Sequence, residues 1–378
     1  MKKICFVATV EFAVNVYLIN HLRALSQLYD TTVIVNTNNP NFLANKGIKV
    51  NVVKLGFVRE ISLMNDLITL IKLISIFRRY RFDAVHSMMP KSGLLAMMAA
   101  WVARTPVRVH TFTGQIWVNK AGIKRFLFKK IDSLIAFLAT SIIVDSPSQL
   151  QFLLNEEVAY KESSLVFCSG SISGVDISRF KPDKNMGISV RQQLSIDDDA
   201  VVFLFLGRLT QDKGVLDLAQ AFNQVQTKNT HLVFVGPDEK HTQHELVNVT
   251  LPCADKVHFV GYTDTPECYM AAADVLCLPS YREGFGGVII EAAAVGIPSI
   301  ASRIYGITDA VVEGETGLLH EPRNIDEIKV CMEELVNNPA LRLKLGEQAK
   351  KRAVESFNSS LLTQAWVNFY QKKLQRNE

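Results

Sequence analysis

"KICFVATVEFAVNVYLINHLRALSQLYDTTVIVN" runs from Lys3 to Asn36 and carries the signal that decides the fold. Its opening apolar run stops at Glu11 with no convincing cleavage site, so it reads as a buried strand and not as a secretory leader. "YLINHLRALSQLYD" then spaces its apolar residues as a helix does, and "TTVIVN" returns to a short β-branched run. A strand, a helix and a second strand in so few residues imply parallel strands joined by a crossover helix. The pattern recurs. "IKVNVVKL", "LMNDLITLIKLISIFRRYR" and "FDAVHSM" repeat it, as do "SGLLAMMAAWVART" before "VRVHTFT" and "KRFLFKKIDSLIAFLATS" before "SIIVDS". It pauses at "GSISGVDISRFKPD" (Gly170–Asp183), where Gly, Ser, Asp and Pro crowd as in a linker. It restarts with "AVVFLFLG", followed by "HLVFVG", "VHFVGY", "DVLCLPS" and "PSIAS". The expectation is an α/β chain of two doubly wound, Rossmann-like domains, 1–173 and 174–356. The helical segment 357–378 is able to complete the first.

The chain has 378 residues, enough for two ordinary domains, and 48% are hydrophobic. Net charge is +4, but residues 1–170 carry 20 Lys and Arg against 10 Asp and Glu. A basic first half suggests an acidic partner: phosphates, an anionic membrane surface or nucleic acid. The six cysteines form no CxxC pair and no metal spacing, which fits a reducing cytosol. No apolar run reaches the ~20 residues needed to span a bilayer.

In open parallel sheets, ligands bind beyond the carboxyl ends of the strands, and with two such sheets the expected place is the cleft between them. In "FLFLGRLTQDKGVLDLAQAF", Arg208 and Lys213 are placed to reach an anion near a helix start. A solvated basic pair on a loop is an equal reading of those residues alone. "VLCLPSYREGFGGVIIEAAAVGIP" is more telling. Glycines Gly284, Gly286 and Gly287 lead into an apolar helix whose free amides could meet a phosphate. Glu291 lies within that apolar run, where a carboxylate needs a partner. Two glutamates, Glu283 and Glu291, beside an anion site suit a ligand with hydroxyls as well as phosphates. The Asp197–Asp199 run precedes a strand and reads as a turn.

Here the residues resemble the retaining glycosyltransferases of family 4, with the GT-B fold. The motifs are E-x7-E at Glu283 and Glu291, "GRLTQDKG" at Gly207–Gly214, "SGVDISRFKP" at Ser173–Pro182 and "VVEGETGLL" at Val311–Leu319. The resemblance implies that Glu291 binds the ribose diol, that Glu283 meets the donor sugar's hydroxyls, and that Arg208 and Lys213 hold the diphosphate. It implies that Phe285, Gly286 and Gly287 present backbone N–H groups, and that Gly261 and Tyr262 border the base. His110 matches a histidine near the transferred sugar, so His110 and Glu283 are the catalytic candidates. A satisfied core histidine is the plainer reading of His110, since the sequence names no partner for it. Many members carry a glycine pair after the first strand, whereas here Thr9, Val10 and Glu11 fill that place. No metal or other cofactor is expected; the nucleotide-sugar is a substrate.

The first half is expected to bind the acceptor. "HSMMPKSGLL" and "HTFTGQIW" resemble segments of enzymes that extend polyprenyl-diphosphate-linked glycans of bacterial surface polysaccharides. Glu11, His86, Lys91, Thr113, Gly114 and Gln115 are the acceptor candidates. "NKAGIKRFLFKKIDSLIAFL" interleaves Lys120, Lys124, Arg125, Lys129 and Lys130 with Phe126 and other apolar residues, a pattern suited to a membrane surface. The alternative is a crossover helix packed on the sheet. The expected activity is transfer of a hexose or N-acetylhexosamine from a nucleotide-sugar, UDP-linked by preference, to a lipid-linked glycan in O-antigen or capsule synthesis. The expected location is the cytoplasmic face of the plasma membrane. A GT-B transferase with a soluble sugar acceptor is the nearest rival. A dinucleotide-binding oxidoreductase would want G-x-G-x-x-G after the first strand, which "ATVEFAVN" lacks. A nucleic-acid binder would want an RNP-like, KH or zinc pattern, and none is visible.

Overall fold

The structure, a computed structural model, describes residues 1–57, 62–225 and 229–375. The chain divides into two compact units, Met1–Ser173 with Ser359–Glu378, and Gly174–Asn358.

The first unit contains β1 (Lys3–Val10), α1 (Glu11–Tyr17), α2 (Ile19–Leu25), β2 (Asp30–Asn36), β3 (Asn51–Lys54), α3 (Leu63–Tyr80), β4 (Ala84–Met88) and α4 (Pro90–Val102). It continues through β5 (Val107–Phe112), α5 (Gly122–Leu138), β6 (Ser141–Val144), α6 (Pro147–Asn155) and β7 (Ser164–Leu165). The strands form one parallel sheet in the order β3-β2-β1-β4-β5-β6-β7. Its inner strands are buried on both faces, which is why they read as near-continuous apolar runs, while the edge strands β3 and β7 are partly open. Cys5 and Val7 point into a core shared with Leu73, Phe77, Ala96 and Ile135 from α3, α4 and α5. Ile4, Phe6 and Ala8 point the other way, against Leu18, Leu22, Trp366 and Tyr370. The alternation follows from the period of two along a strand.

Trp366 and Tyr370 belong to α15 (Ser359–Gln375), which therefore completes the second face of this sheet. The indole of Trp366 lies between the rings of His21 and His86, at 4.5 and 4.8 Å and near-parallel to both. His21 and His86 are buried, and both are used up internally. His21 Nε2 meets the Ile172 carbonyl at 2.8 Å, and His86 bonds Tyr370 Oη at 2.6 Å and Thr111 Oγ1 at 2.7 Å.

The second unit contains α7 (Lys184–Gln193), β8 (Val201–Leu206), α8 (Val215–Gln224), β9 (Thr230–Val235), α9 (Thr242–Thr250), β10 (Val257–Gly261), α10 (Pro266–Ala272) and β11 (Val275–Leu278). It ends with α11 (Gly287–Val295), β12 (Ser299–Ser302), α12 (Ile307–Ala310), β13 (Gly317–His320), α13 (Ile325–Asn337) and α14 (Pro339–Ser356). Its parallel sheet runs β10-β9-β8-β11-β12-β13. The strand order reverses between β8 and β11, where Val275 pairs with Phe203 and Leu276 with Leu204. The equivalent reversal in the first unit lies between β1 and β4. Such switch points open a crevice at the carboxyl ends of the strands. The Asp197–Asp199 run sits in a turn at the amino end of β8, where Arg191 bonds the Asp197 and Asp198 carbonyls.

Candidate active site

The site of the second unit is built by the two segments that leave β8 and β11. Because those strands are neighbours, Gly207–Gly214 and Pro279–Gly286 emerge side by side. Gly214 caps the first segment in the left-handed region at φ +68°, and a Cβ there would stand 2.0 Å from the Pro279 carbonyl oxygen. Only glycine lets the segments approach this closely. Tyr281 N–H closes the contact on the Asp212 carbonyl at 2.9 Å, and Tyr281 Oη donates to Asp217 at 2.6 Å.

This juxtaposition joins residues far apart in the chain. Lys213 Nζ lies 2.5 Å from Glu283 Oε1, and Ser280 Oγ donates to the same oxygen at 2.8 Å. Both ends of the ion pair are largely screened from solvent. Among the described residues Glu283 Oε2 makes no hydrogen bond, so one carboxylate oxygen is fixed and the other is available. Asp212 feels the same cations. Burial alone would raise its carboxyl, but the Thr210 hydrogen bond and the charges of Arg282, Lys213 and Arg208 hold it below the ordinary value. Arg208 is exposed and stands 3.9 Å from Glu239. Arg208, Lys213 and Arg282 thus surround one spot at the end of β8.

Gly286 takes the left-handed conformation at φ +81°, and α11 begins at once at Gly287. No side chain caps that start, and a Cβ on Gly287 would meet only open space. The first amides of α11 therefore have no side-chain acceptor, and the dipole's positive end faces room for an anion. Phe285 is buried, edge-on to Phe357, so only its backbone can serve a ligand. Gly296, also left-handed, closes the helix.

Glu291 is partly buried on α11. Burial pushes its carboxyl up from 4.5 to about 7, with Arg179 pulling it down and Glu267 pushing it further up. Its carboxylate accepts no hydrogen bond among the described residues. Arg179 binds Glu267 through Nε at 3.0 Å and Nη2 at 2.8 Å, and donates to the Asp264 carbonyl at 2.6 Å. Tyr262 Oη donates to Asp264 at 2.7 Å, so Gly261 and Tyr262 belong to the same neighbourhood as Glu291. Arg179 was hidden in plain view inside "SGVDISRFKP". The signal that could have singled it out is that a carboxylate in an apolar helix needs a nearby cation.

In the first unit the residues expected to act are mostly engaged already. β1 passes into α1 with no intervening loop, and Glu11 Oε2 accepts from Thr37 Oγ1 at 2.6 Å. Lys91 pairs with Asp66 at 2.7 Å. His86 and Gln115 are sealed inside, His86 in the α15 contact and Gln115 against Gln149 at 3.1 Å. They offer no side-chain atom to a ligand in this conformation. Gly114 is also buried, while Thr113 is partly open.

His110 does have a partner: Ser87 Oγ lies 2.9 Å from its Nδ1. Its ring packs against Gly93, where a Cβ would fall 2.4 Å from Cε1, and edge-on to Phe112. Burial lowers its pKa from 6.5 to about 3, so the ring is neutral. Nε2 makes no hydrogen bond among the described residues and is not among the sealed unpaired polar atoms. It is the ring atom left to contact something else. Ser87 and Gly93 went unnoticed in the sequence because both are ordinary strand and helix residues there.

The basic helix α5 splits into two sets. Arg125 and Lys129 are spent on Glu156 at 2.6 and 2.8 Å and lie over the Trp117 ring. Lys124, Lys130 and Lys120, just before the helix, are exposed, with Lys130 over the exposed Phe126 ring.

The chain thus has two parallel-sheet units, and in the second a helix start without a side-chain cap lies beside the Lys213–Glu283 pair. The glycosyl transferase 4-like domain matches residues 13–162, and glycosyl transferases group 1 matches residues 188–352. The chain belongs to the family 4 glycosyltransferases of GT-B fold. Among relatives, the capsular polysaccharide biosynthesis glycosyltransferase CapM of Staphylococcus aureus is 29% identical over 85% of this chain and 84% of its own. The UDP-Gal:alpha-D-GlcNAc-diphosphoundecaprenol alpha-1,3-galactosyltransferase of Escherichia coli is 27% identical over 79% of this chain and 78% of its own. The solved sucrose-phosphate synthase of Thermosynechococcus elongatus matches with a TM-score of 0.83 at 22% identity, over 100% of both chains.

Proposed function

We propose that this glycosyltransferase moves a hexose or N-acetylhexosamine from a UDP-sugar to a lipid-diphosphate-linked glycan, with retention, in surface polysaccharide synthesis. The observation that carries the donor half is the clamped Glu283 beside Lys213 at the open start of α11. A diphosphate at that start takes over Lys213 and meets Arg208 and the free amides. These groups are oriented before the reaction, so they stabilise charge growing on the leaving diphosphate at no cost of reorganisation. Glu283 Oε2 accepts from a sugar hydroxyl, and Glu291 accepts from the ribose diol. His110 Nε2 contacts the transferred sugar. The cations on this site meet the charge themselves, and no metal is invoked.

The acceptor half rests on the relatives. The Escherichia coli enzyme is named for a diphosphoundecaprenol acceptor, and the Staphylococcus aureus enzyme for capsular polysaccharide. The fold shared with a sucrose-phosphate synthase does not choose an acceptor, since fold and function separate. The lipid reading is favoured by the exposed Lys120, just before α5, and Lys124 and Lys130 of α5, which suit an anionic membrane and have no task on a small soluble sugar. The reading places the enzyme on the inner face of the plasma membrane.

A thermal-shift panel of UDP, GDP and ADP, each with its sugars, tests the donor. Stabilisation by UDP and a UDP-sugar is expected, unchanged by a chelator. Stabilisation by NAD(H) alone would sink the transferase chemistry, and a response only to GDP or ADP would move the donor.

A further inference from the structure

Helix α3 is apolar on two faces. Thr69, Leu73 and Phe77 point into the core. On the other side Leu63, Met64, Leu67, Ile68 and Ile71 are 43% to 84% exposed. At 100° per residue these five fall within an arc of about 140°, opposite the buried three. A crossover helix needs only one apolar face, and among the described residues the outer stripe takes no part in the core.

The stripe does not stand alone. α4 packs against both α3 and α5, so the three helices cover one face of the sheet. Crossover helices run opposite to their strands, which puts the amino ends of α3 and α5 at the carboxyl edge of the sheet. The stripe occupies the first half of α3. Ile123, Phe126 and Leu127, 54% to 74% exposed, occupy the first half of α5. Both apolar groups therefore lie at the same end of the unit, the end where a ligand of this sheet binds.

Glu156 offsets Arg125 and Lys129 on α5, and the charge left over on this surface is positive. The carboxylates of α3, α4 and α5 are Asp66, paired with Lys91, and Asp132, buried on Trp117 Nε1. Lys124 and Lys130 flank the α5 patch, while Lys72 follows the stripe and lines a wide groove with Lys54, Leu55, Gly56, Ser75 and Ile76. No helix among the described residues is long and apolar enough to cross a membrane.

We propose that α3 is a membrane-seated helix: its outer stripe inserts among the acyl chains of an anionic bilayer while α5 supplies the second apolar contact and the basic rim. An anionic bilayer is the partner that this combination fits, because it offers hydrocarbon and negative charge in one plane. The inference rests on the lipid-linked acceptor reading and extends it. Attachment is apolar as well as electrostatic, and it is made by a helix with only one lysine among its first fifteen residues.

The test is flotation of the full chain with vesicles of phosphatidylglycerol and phosphatidylcholine, and with phosphatidylcholine alone. The wild type is expected to float with the first and weakly with the second, and to keep part of its binding in high salt. Leu67→Gln with Ile71→Gln, and separately Met64→Glu, are expected to weaken vesicle binding by at least about tenfold, because each large apolar side chain withheld from lipid removes about a decade of affinity. All three changes are on exposed surface, so the variants should melt like the wild type. Unchanged flotation of both variants overturns the proposal, as does a wild type that binds no vesicle. Conversion of a wild-type dimer to monomer by these changes also overturns it, by assigning the stripe to a second copy. UDP-induced stabilisation of the wild type is read in parallel. Its absence would remove the transferase reading, whereas flotation lost only in the α3 variants supports the seating of α3.

Discussion

Replacing Glu291 with Gln should make the empty protein more stable and the UDP complex weaker. Burial raises the Glu291 carboxyl from 4.5 to about 7. A raised carboxylate contributes stability that is fully present below the unfolded value, and loses it as pH rises through the folded one. At pH 8 the wild type therefore carries a charge its surroundings resist. The interval between the two values corresponds to about 3.4 kcal/mol at most. Glu291 as a residue is only partly buried, which reduces this to about 1–2 kcal/mol. For a unit of this size that is roughly 3 to 6 °C in melting temperature. Glu291→Gln should thus melt higher than the wild type at pH 8, and level with it near the unfolded value. The donor should act in the opposite sense. A ribose diol that donates to the carboxylate favours its charged form, so removing that charge should weaken UDP binding by about thirtyfold, or ~2 kcal/mol. In the wild type, UDP affinity relative to Glu291→Gln should fall as pH drops below about 7. The terminal phosphate of UDP also titrates, near pH ~6, but cancels in that ratio. Scanning fluorimetry with and without UDP across pH reads both effects. A variant no more stable at pH 8, with an unchanged UDP shift, would refute the role given to Glu291.

Lys213→Ala should weaken UDP roughly tenfold to a hundredfold by calorimetry, since it removes a charge-assisted bond to the diphosphate and leaves Glu283 without its cation; an unchanged Kd would remove Lys213 from the diphosphate site. Ser87→Ala should lower kcat by about tenfold with little change in the donor KM, because it frees the His110 ring without touching the nucleotide; Ser87→Thr, which keeps the hydroxyl, should recover part of the loss, and equal loss in both would mean that Ser87 only packs. Acid should unfold the first unit early. His21 and His110 are lowered by burial to about 4 and about 3, so the stability of their neutral rings is present above 6.5 and is lost as pH falls toward those values. A melting temperature flat from pH 7 to 4 would contradict the buried neutral rings.

The alternation of strands and helices was legible because parallel sheets are buried on both faces, and each strand then shows as a short apolar run. The start and end of α11 were legible for a similar reason: Gly286 and Gly296 take left-handed conformations that suit glycine, and this shows in the sequence. What could not be read was anything set by which strands are neighbours. Lys213 and Glu283 lie 70 positions apart and meet only because β8 lies beside β11. Glu156, 31 and 27 positions from Arg125 and Lys129, takes two of the four basic charges of α5. His86 looks like a strand-end ligand in the sequence, but α15 returns from the far end of the chain to cover it.

The apolar stripe of α3 shows the same rule from the other side. A helix with leucine and isoleucine all round is expected to be buried all round, and nothing in "LMNDLITLIKLISIF" says which face the sheet will take. The sheet takes Leu73 and Phe77 and leaves Leu67 and Ile71 outside. The donor site follows from local motifs brought together by strand order. The exposed stripe of α3 is different: it is defined by what the fold leaves uncovered, and so by the one property a sequence pattern does not carry. That is why the basic residues of α5, visible as charge in the sequence, drew the first reading. The structure adds the exposed apolar stripe of α3, which has almost no charge to announce it.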